Sequence, residues 1–430
     1  MKKRLLSALC AVMLLICAVP MASAQTGDAA RRADALTVLH LLSEDPGRDL
    51  TAPATRAQAA VLLVRLAGGE KKPDTDGWFA GFRDVPDWAR TAVNYANRRG
   101  WISGVSNVQF DPNGHLNADA WCAMLLRMLG YSDKTGDFEI SDAAAFAWRI
   151  GLTGRQLIGI LSVGDLAESI YDALDFCYKG TETTVLSRLM DLGVCTASAA
   201  NALGLLNKDY TARQLADRYL SAAFQLSLYE TEEQVHDEVS SADASGFFIS
   251  ADGLAVTNYH SIEDSIKATA TLLNGETYEV ERVLYYDTGI DIAVIKVSRT
   301  NQSRRTTSAF NHLDLVGTAD IRPGDPVYAI GNPLGLGLAI SSGIIGSTAH
   351  ELDRYALPCI VNSADISRGS SGGALMNAHG QVIGVTSGAY TYGNNMYLAV
   401  PVDPVMAADL TVSGWTLKEV KAIEAAKDKD

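Results

Sequence analysis

The chain has 430 residues, 47% of them hydrophobic, 20% charged and 7% aromatic, and a formal charge of −14. That composition supports packed cores in several domains and excludes a disordered chain, a collagen-like fibre and a coiled-coil rod. The acid excess leaves no Lys/Arg surplus for a phosphate backbone, so nucleic acid is not an expected partner.

The N-terminus reads as a leader. Lys2, Lys3 and Arg4 precede an apolar run from Leu5 to Val19 that is broken only by Ser7. Pro20 and Ala22-Ser23-Ala24 follow. The run is shorter than the ~20 residues a spanning helix needs. A secretory signal peptide over residues 1–24, cut after Ala24, is expected, and with it a secreted protein. Losing three bases takes the charge from −14 to −17. Cys122, Cys177, Cys195 and Cys359 then remain. An even count in an exported chain permits disulfides, Cys177–Cys195 being the one local pairing, and free buried thiols fit equally well. The seven histidines show no His-x-His or His-Glu-x-x-His spacing, so no metal and no cofactor are expected.

Residues 27 to about 205 carry helical periodicity. Ala60, Leu63 and Val64 share one face, as do Trp121, Met124, Leu125 and Met128, and Gly68 and Gly130 stop these helices. The segment repeats internally. Leu62-Leu63-Val64-Arg65-Leu66-Ala67-Gly68 echoes Leu125-Leu126-Arg127-Met128-Leu129-Gly130, and Tyr95-Ala96-Asn97-Arg98-Arg99-Gly100 echoes Phe146-Ala147-Trp148-Arg149-Ile150-Gly151. One unit is nearly complete: it opens on Phe82-Arg83-Asp84-Val85-Pro86-Asp87-Trp88-Ala89 and runs through Gly100-Trp101-Ile102-Ser103-Gly104 and Phe110-Asp111-Pro112-Asn113 to Leu129-Gly130.

This region resembles S-layer homology (SLH) repeats, with units at about 30–70, 80–130 and 138–180. The resemblance implies an all-α spindle of three repeats that holds secreted proteins to cell-wall polymers. The family's ligand motif, Thr-Arg-Ala-Glu, is matched at three positions by Thr55-Arg56-Ala57-Gln58. The second and third units have Asn117-Ala118-Asp119-Ala120 and, nearby, Val163-Gly164-Asp165-Leu166 instead. Thr55 and Arg56 are therefore the candidate contacts to an anionic secondary cell-wall polymer, the guanidinium binding an acidic group bidentately. Relic repeats without wall binding are the alternative. Residues 206–235 read as a helical linker, with Leu215, Tyr219, Leu220, Ala223 and Phe224 on one helix and Glu230–Glu233 as a solvated charge run.

From Ser245 the period becomes two. Phe247–Ile249 and Leu254–Val256 flank an Asp252-Gly253 turn, and Asn274-Gly275 makes another. Further short strands are expected at Ile292–Val297, Val327–Ile330, Cys359–Val361, Val382–Val385 and Met396–Val400, which together mean an all-β sandwich or barrels. Three segments carry chemistry: Thr257-Asn258-Tyr259-His260, Asp291-Ile292-Ala293-Val294 and Gly369-Ser370-Ser371-Gly372-Gly373. Acyl transfer needs a nucleophile, a base, a group that orients the base, and donors for the oxyanion. Glycines beside a serine let backbone N–H groups converge on one point. Each piece alone is commonplace; their order within one all-β domain is not.

Residues 236–410 resemble the HtrA/Deg-like branch of trypsin-type serine proteases. Ser245-Gly246-Phe247-Phe248-Ile249, Asp291 to Val297, Gly331-Asn332-Pro333-Leu334-Gly335 and the serine segment all fall in family order. The resemblance implies a double β-barrel of six strands each. It makes His260 the general base, Asp291 its orienter and Ser371 the nucleophile, with the N–H groups of Gly369 and Ser371 as the oxyanion hole. It puts Ile366, Thr386, Ser387 and Gly388 around the specificity pocket. The implied function is an exported, wall-associated serine endopeptidase acting on polypeptides, of undetermined oligomeric state. A catalytically idle barrel that serves as a surface binding module is the alternative. Two departures stand out: Ser370 replaces the usual Asn or Asp, and Val239–Ala244 is too polar for the strand that precedes Ser-Gly-Phe. The first barrel is therefore expected to lack a strand. A charged tail is expected over 411–430, with no PDZ domain.

Overall fold

The computed structural model describes residues 28–43, 48–69, 79–181, 183–206, 209–389 and 395–427. The leader expected at 1–24 lies outside them. The chain forms two compact units: Met1–Ala147 with Arg155–Leu206, and Trp148–Gly154 with Asn207–Asp430. No helix among the described residues is long and apolar enough to cross a membrane.

The first unit is helical. Its helices Arg56–Leu66, Ala118–Met128 and Val163–Ala173 start alike, each after an extended N-cap whose side chain accepts a backbone N–H: Thr55 from Gln58, Asn117 from Ala120 and Ser162 from Asp165. The residues just before these caps are joined in a ring. Ala54 N–H donates to Leu161 O, Leu161 N–H to Leu116 O, and Leu116 N–H to Ala54 O, at 2.8–3.0 Å. A second ring repeats the pattern outside it, from Arg56 to Gly114 O, Ala118 to Gly159 O and Val163 to Ala52 O. Trp121 is fully buried in this unit, and its Nε1 donates to Ser169 Oγ at 2.8 Å. Among the described residues no disulfide joins Cys122, Cys177, Cys195 or Cys359, so the Cys177–Cys195 pairing is not formed.

The second unit is two closed barrels. The first runs β1 (Ala223–Tyr229), β2 (Ala242–Phe248), β3 (Leu254–Thr257), β4 (Lys267–Leu272), β5 (Thr277–Asp287) and β6 (Ile292–Asn301), in the order β1-β2-β3-β6-β5-β4. The second runs β7 (Pro326–Gly331), β8 (Ala339–His350), β9 (Cys359–Asn362), β10 (Ala374–Asn377), β11 (Val382–Ala389) and β12 (Tyr397–Pro401), in the order β10-β11-β12-β9-β8-β7.

Three expectations are corrected. The first barrel lacks no strand: β1 pairs with β2 and β4 and closes it, so the unit begins well before 236 and 206–235 is not a helical linker. Phe224, Leu226 and Leu228 alternate inward. Helix Ala212–Tyr219 ends in a short 3₁₀ turn at Leu220–Ala222, and the apolar spacing that looks helical there passes into a strand. The polar Val239–Ala244 stretch follows an inserted helix, Glu232–Asp237, and its end opens β2. Lastly, 411–430 is not a loose tail. Val283 and Trp415 exchange backbone hydrogen bonds, and helix Leu417–Lys427 buries Leu417 and Val420 against the first barrel.

Phe224, Phe248 and Phe310 centre the first barrel, the last two stacked with centroids 4.2 Å apart. Each such burial contributes about 1.5–3 kcal/mol of transfer free energy. A separate cluster containing Phe247, Val256, Ile292, Ile330, Met376 and Val400 welds the two barrels together. His260 follows the strand that carries Val256, Asp291 immediately precedes Ile292, and Ser371 precedes the strand that carries Met376.

Candidate active site

His260 sits in the helical turn Tyr259–Ile262 that follows β3. Asp291 sits in the turn before β6, with a left-handed φ of 61°. The adjacent strands fix the two relative to each other, because β3 pairs with β6 through Thr257 and Ala293. Asn258 Nδ2 adds a 2.8 Å bond to Asp291 O. Asp291 Oδ1 accepts the His260 backbone N–H at 2.9 Å, and Oδ2 lies 2.8 Å from His260 Nδ1. Burial alone would raise the Asp291 carboxyl. The His260 ring and backbone N–H and the Ser387 hydroxyl outweigh it and hold the group below the usual carboxylate range. An ionised Asp291 can only accept. His260 Nδ1 therefore carries the proton, and Nε2 keeps its lone pair for a substrate proton.

Ser371 lies between β9 and β10. Its Oγ makes one long contact, 3.5 Å to Ser387 O, and among the described residues no hydrogen bond joins it to His260. Ser387 also donates its hydroxyl to Asp291 Oδ2 at 2.6 Å. One residue of β11 thus touches both the acid and the serine, so the second barrel brings the serine to the acid–base pair.

The loop preceding Ser371 is held by its carbonyls. Arg368 O accepts from Leu334 N–H at 2.6 Å, and Gly369 O from Ser245 Oγ at 2.6 Å. Ser370 O accepts from Thr386 Oγ1 at 2.6 Å and Gly373 N–H at 3.0 Å, and Ser371 O from Ser245 N–H at 2.8 Å. In a trans peptide N–H and C=O point opposite ways. Fixing Arg368 O and Ser370 O therefore aims the N–H groups of Gly369 and Ser371 away from those partners, and among the described residues neither meets a backbone acceptor. A Cβ on Gly369, at φ 91°, would stand 2.5 Å from Asn332 O. One on Gly372, at φ 85°, would stand 2.3 Å from Ser245 O.

Beside this loop is a cavity of about 210 Å³ lined by Ile366 and Thr386, with Ile330, Ala339, Ile340 and Ser341. Ser387 and Gly388, expected in its wall, are not among its lining residues. Sequence reasoning missed the positioning roles of Ser245, Thr386 and Ser387. Nothing in the sequence sets these hydroxyls apart from any others.

In the helical unit Arg56 is turned inward. Nε donates to Phe110 O at 2.9 Å, Nη2 to Ser103 O at 2.8 Å, and the guanidinium lies over the Phe110 ring at 4.7 Å. Burial lowers its pKa, with Asp111 and Asp84 offsetting part of this. Thr55 is spent on the capping box with Gln58. A groove of about 630 Å³ in the same unit is lined by Arg48, Arg65, Gln58, Trp88 and Tyr95, and not by Thr55 or Arg56.

Two barrels with a His–Asp pair on one and a glycine-flanked serine on the other define the architecture of a trypsin-like peptidase, and the family model of the trypsin-like peptidase domain matches residues 244–385. Within that class the chain is similar to the HtrA/Deg-like serine proteases. It is 35% identical over 177 residues to a probable periplasmic DegP-like serine endoprotease of Halomonas elongata, covering 40% of this chain and 35% of that protein. It is 31% identical over 219 residues to the serine protease HTRA1A of Danio rerio, covering 50% of this chain and 44% of that one. The chain thus spans less than half the length of either relative. A solved HtrA-type protease, AlgW with a tripeptide, aligns at 24% identity and a TM-score of 0.39, over 46% of this chain and 62% of that one. The fold described above rests on strand pairing, not on that alignment.

Proposed function

We propose that the barrel unit is a serine endopeptidase in which Ser371 is the nucleophile, His260 the general base and Asp291 the group that orients it. The observation that carries this is Ser387, which bonds to Asp291 and touches Ser371 while Asp291 holds His260 Nδ1. In the reaction Ser371 Oγ attacks the peptide carbonyl carbon and its proton passes to His260 Nε2. Asp291 stabilises the imidazolium, and the Gly369 and Ser371 N–H groups receive the negative oxygen. The imidazolium then protonates the leaving amine, and water, deprotonated by His260, releases the acyl group. The Ile366 cavity suits a small or aliphatic side chain before the cleaved bond. No cofactor enters any step.

The alternative, an idle barrel acting as a binding module, is favoured by one observation: the Ser371–His260 hydrogen bond is not formed. Its other basis, an incomplete first barrel, is removed by β1. Labelling the full chain with a fluorophosphonate probe separates the two. Covalent labelling of wild type and none of Ser371→Ala supports the protease. An unlabelled wild type that cleaves no casein would leave the idle barrel standing.

For the helical unit we propose three SLH-like repeats after a cleaved leader, holding an exported protein to an anionic wall polymer. The two hydrogen-bonded rings and three like caps support the repeat reading. With Arg56 committed to carbonyls, the groove bearing Arg48, Arg65, Trp88 and Tyr95 is the better candidate for an acidic sugar: guanidinium for the acid, aromatic face for the ring.

A further inference from the structure

The β8–β9 loop places Tyr355 behind the acid. Tyr355 is nearly buried and packs in the cluster that joins the barrels. Its loop is tied to the Asp291 turn by Ala356 N–H donating to Gly289 O at 2.7 Å. The Tyr355 hydroxyl lies 2.8 Å from Ser387 Oγ, which lies 2.6 Å from Asp291 Oδ2. The guanidinium of Arg354 stacks over the Tyr355 ring at 4.5 Å and donates to the Tyr355 hydroxyl.

Hydroxyl bookkeeping sets the direction of this chain. Ser387 has one proton, and the ionised Asp291 offers only lone pairs. The Ser387 proton therefore goes to Asp291, and Ser387 Oγ must be an acceptor toward Tyr355. Tyr355 has one proton too, and it goes to Ser387, leaving its own lone pairs for Arg354. Every donor in the row points toward Asp291.

We propose that Tyr355 is a positioning residue of the proteolytic site, fixing the Ser387 hydroxyl as a donor to Asp291 and so fixing the carboxylate that orients His260. The proposal rests on the protease reading for its role in catalysis, but the hydrogen-bond chain stands without it. Without Tyr355 the Ser387 hydroxyl can turn to other acceptors, and the carboxylate can swing about its last torsion. The titratable groups that interact with Asp291 are His260 on the turn after β3, Glu263 at the end of that turn, Tyr355 on the β8–β9 loop and Cys359 on β9, with Arg354 acting on Tyr355 and Cys359. Burial, the largest influence, keeps the Tyr355 phenol above its ordinary value, so it remains a donor through the neutral range.

Tyr355→Phe removes one oxygen and keeps the packing. In the full chain it should lower kcat about three- to tenfold with KM within about twofold, the span of one neutral hydrogen bond. The acidic limb of kcat/KM should move up by about half a pH unit, because a less stabilised carboxylate holds the imidazolium more tightly. In a Ser387→Ala background the same substitution should cost nothing more, since the chain is already cut. The His260 Nδ1 proton resonance should shift in Tyr355→Phe, and this is read whether or not the chain cleaves peptides. An inactive wild type would sink the protease reading and leave the resonance as the test of the chain. An unshifted resonance with an unmoved pH limb, or a full further loss in the Ser387→Ala background, would overturn the proposal in favour of simple packing.

Discussion

The two units bury different things. Among its described residues the helical unit buries one polar side chain, Ser169, already satisfied by Trp121 and by the carbonyls of Asp165 and Leu166. Of its arginines, Arg32 and Arg155 pair with Asp172 and Asp165, and Arg56 serves backbone carbonyls. The barrel unit buries many polar side chains, and among them the hydrogen bonds of Ser245, Thr257, Asn258, Thr386 and Ser387 run to Asp291, to the loop 368–371 or to Ser245, which itself holds that loop. Burying a polar group costs free energy unless it is bonded, so a converging set of bonded ones marks where the fold spends stability on geometry. The lesson is that the barrel is built around a set of converging polar groups at the proposed site, and the helical unit around its own packing.

The sharpest way to break this contrast is at Asp291. Asp291→Asn keeps the shape but lets Nδ1 of His260 become the acceptor, leaving Nε2 protonated. Cleavage should fall on the order of 10⁴-fold with little change in KM. The same carboxyl gives a pH signature. Its pKa is depressed in the folded chain, so the stability it contributes is present above its unfolded value and is lost as pH falls through the folded one. The gap in thermal midpoint between wild type and Asp291→Asn should therefore shrink as pH falls below the ordinary aspartate range. A gap that stayed unchanged down through that acid range would show that another group governs it.

Next in size is the strand that completes the first barrel. Phe224 lies on β1, its ring 4.9 Å from Phe248 and over the backbone of Gly246, where a Cβ would stand 2.3 Å from the ring. Phe224→Ala should lower unfolding free energy by about 3–5 kcal/mol in denaturant titration. If 223–229 were a linker, the change would fall within about 0.5 kcal/mol, as for a surface position.

How much was legible follows from what leaves a pattern. The Gly369–Gly373 segment, His260 after a strand and Asp291 before one were readable because special backbone geometry demands glycine and because strands alternate. The Asp252-Gly253 and Asn274-Gly275 turns were readable for the same reason. β1 was hidden because Leu215, Tyr219, Leu220, Ala223 and Phe224 keep helical spacing across a helix, a 3₁₀ turn and a strand. β8 was hidden because Ala339–His350 is largely exposed or half-exposed along both faces, so no period of two survives. The hydroxyls of Ser245, Thr386 and Ser387 look like any others until strand pairing puts them against loop carbonyls or a carboxylate.

A smaller effect tests how tightly the loop before Ser371 is aimed. Thr386→Val keeps volume and removes the 2.6 Å bond to Ser370 O, leaving that carbonyl to Gly373 N–H. The Ser371 N–H then loses part of its alignment but remains present. A directly removed oxyanion donor costs about 10²–10³, so a loosened one should cost about tenfold in kcat, with KM nearly unchanged. A rise in KM alone would mean that Thr386 acts on the cavity beside Ile366 rather than on the oxyanion.

The smallest effect bears on the helical unit, where the contrast would fail if that unit also holds a ligand. Full-length Ser371→Ala, which on the proposed mechanism does not digest itself, is mixed with purified bacterial wall and sedimented. Arg65 lines the groove and also meets Ser43 Oγ at 3.0 Å, so Arg65→Ala should cut retention about fivefold, less than a fully buried charged hydrogen bond. Added salt should weaken retention too, as it does for exposed charges. Arg56→Ala acts elsewhere. It strips Phe110 O and Ser103 O of their donor, so it should lower the melting midpoint of the helical unit more than it lowers retention at temperatures where the unit is folded. The chain's net negative charge opposes nonspecific attraction to an acidic polymer, so retention that depends on Arg65 reports a site. Retention lost in Arg56→Ala while the fold is intact, with Arg65→Ala unaffected, would return the binding role to the Thr55-Arg56 motif. No retention by any variant would leave the helical unit as packing alone.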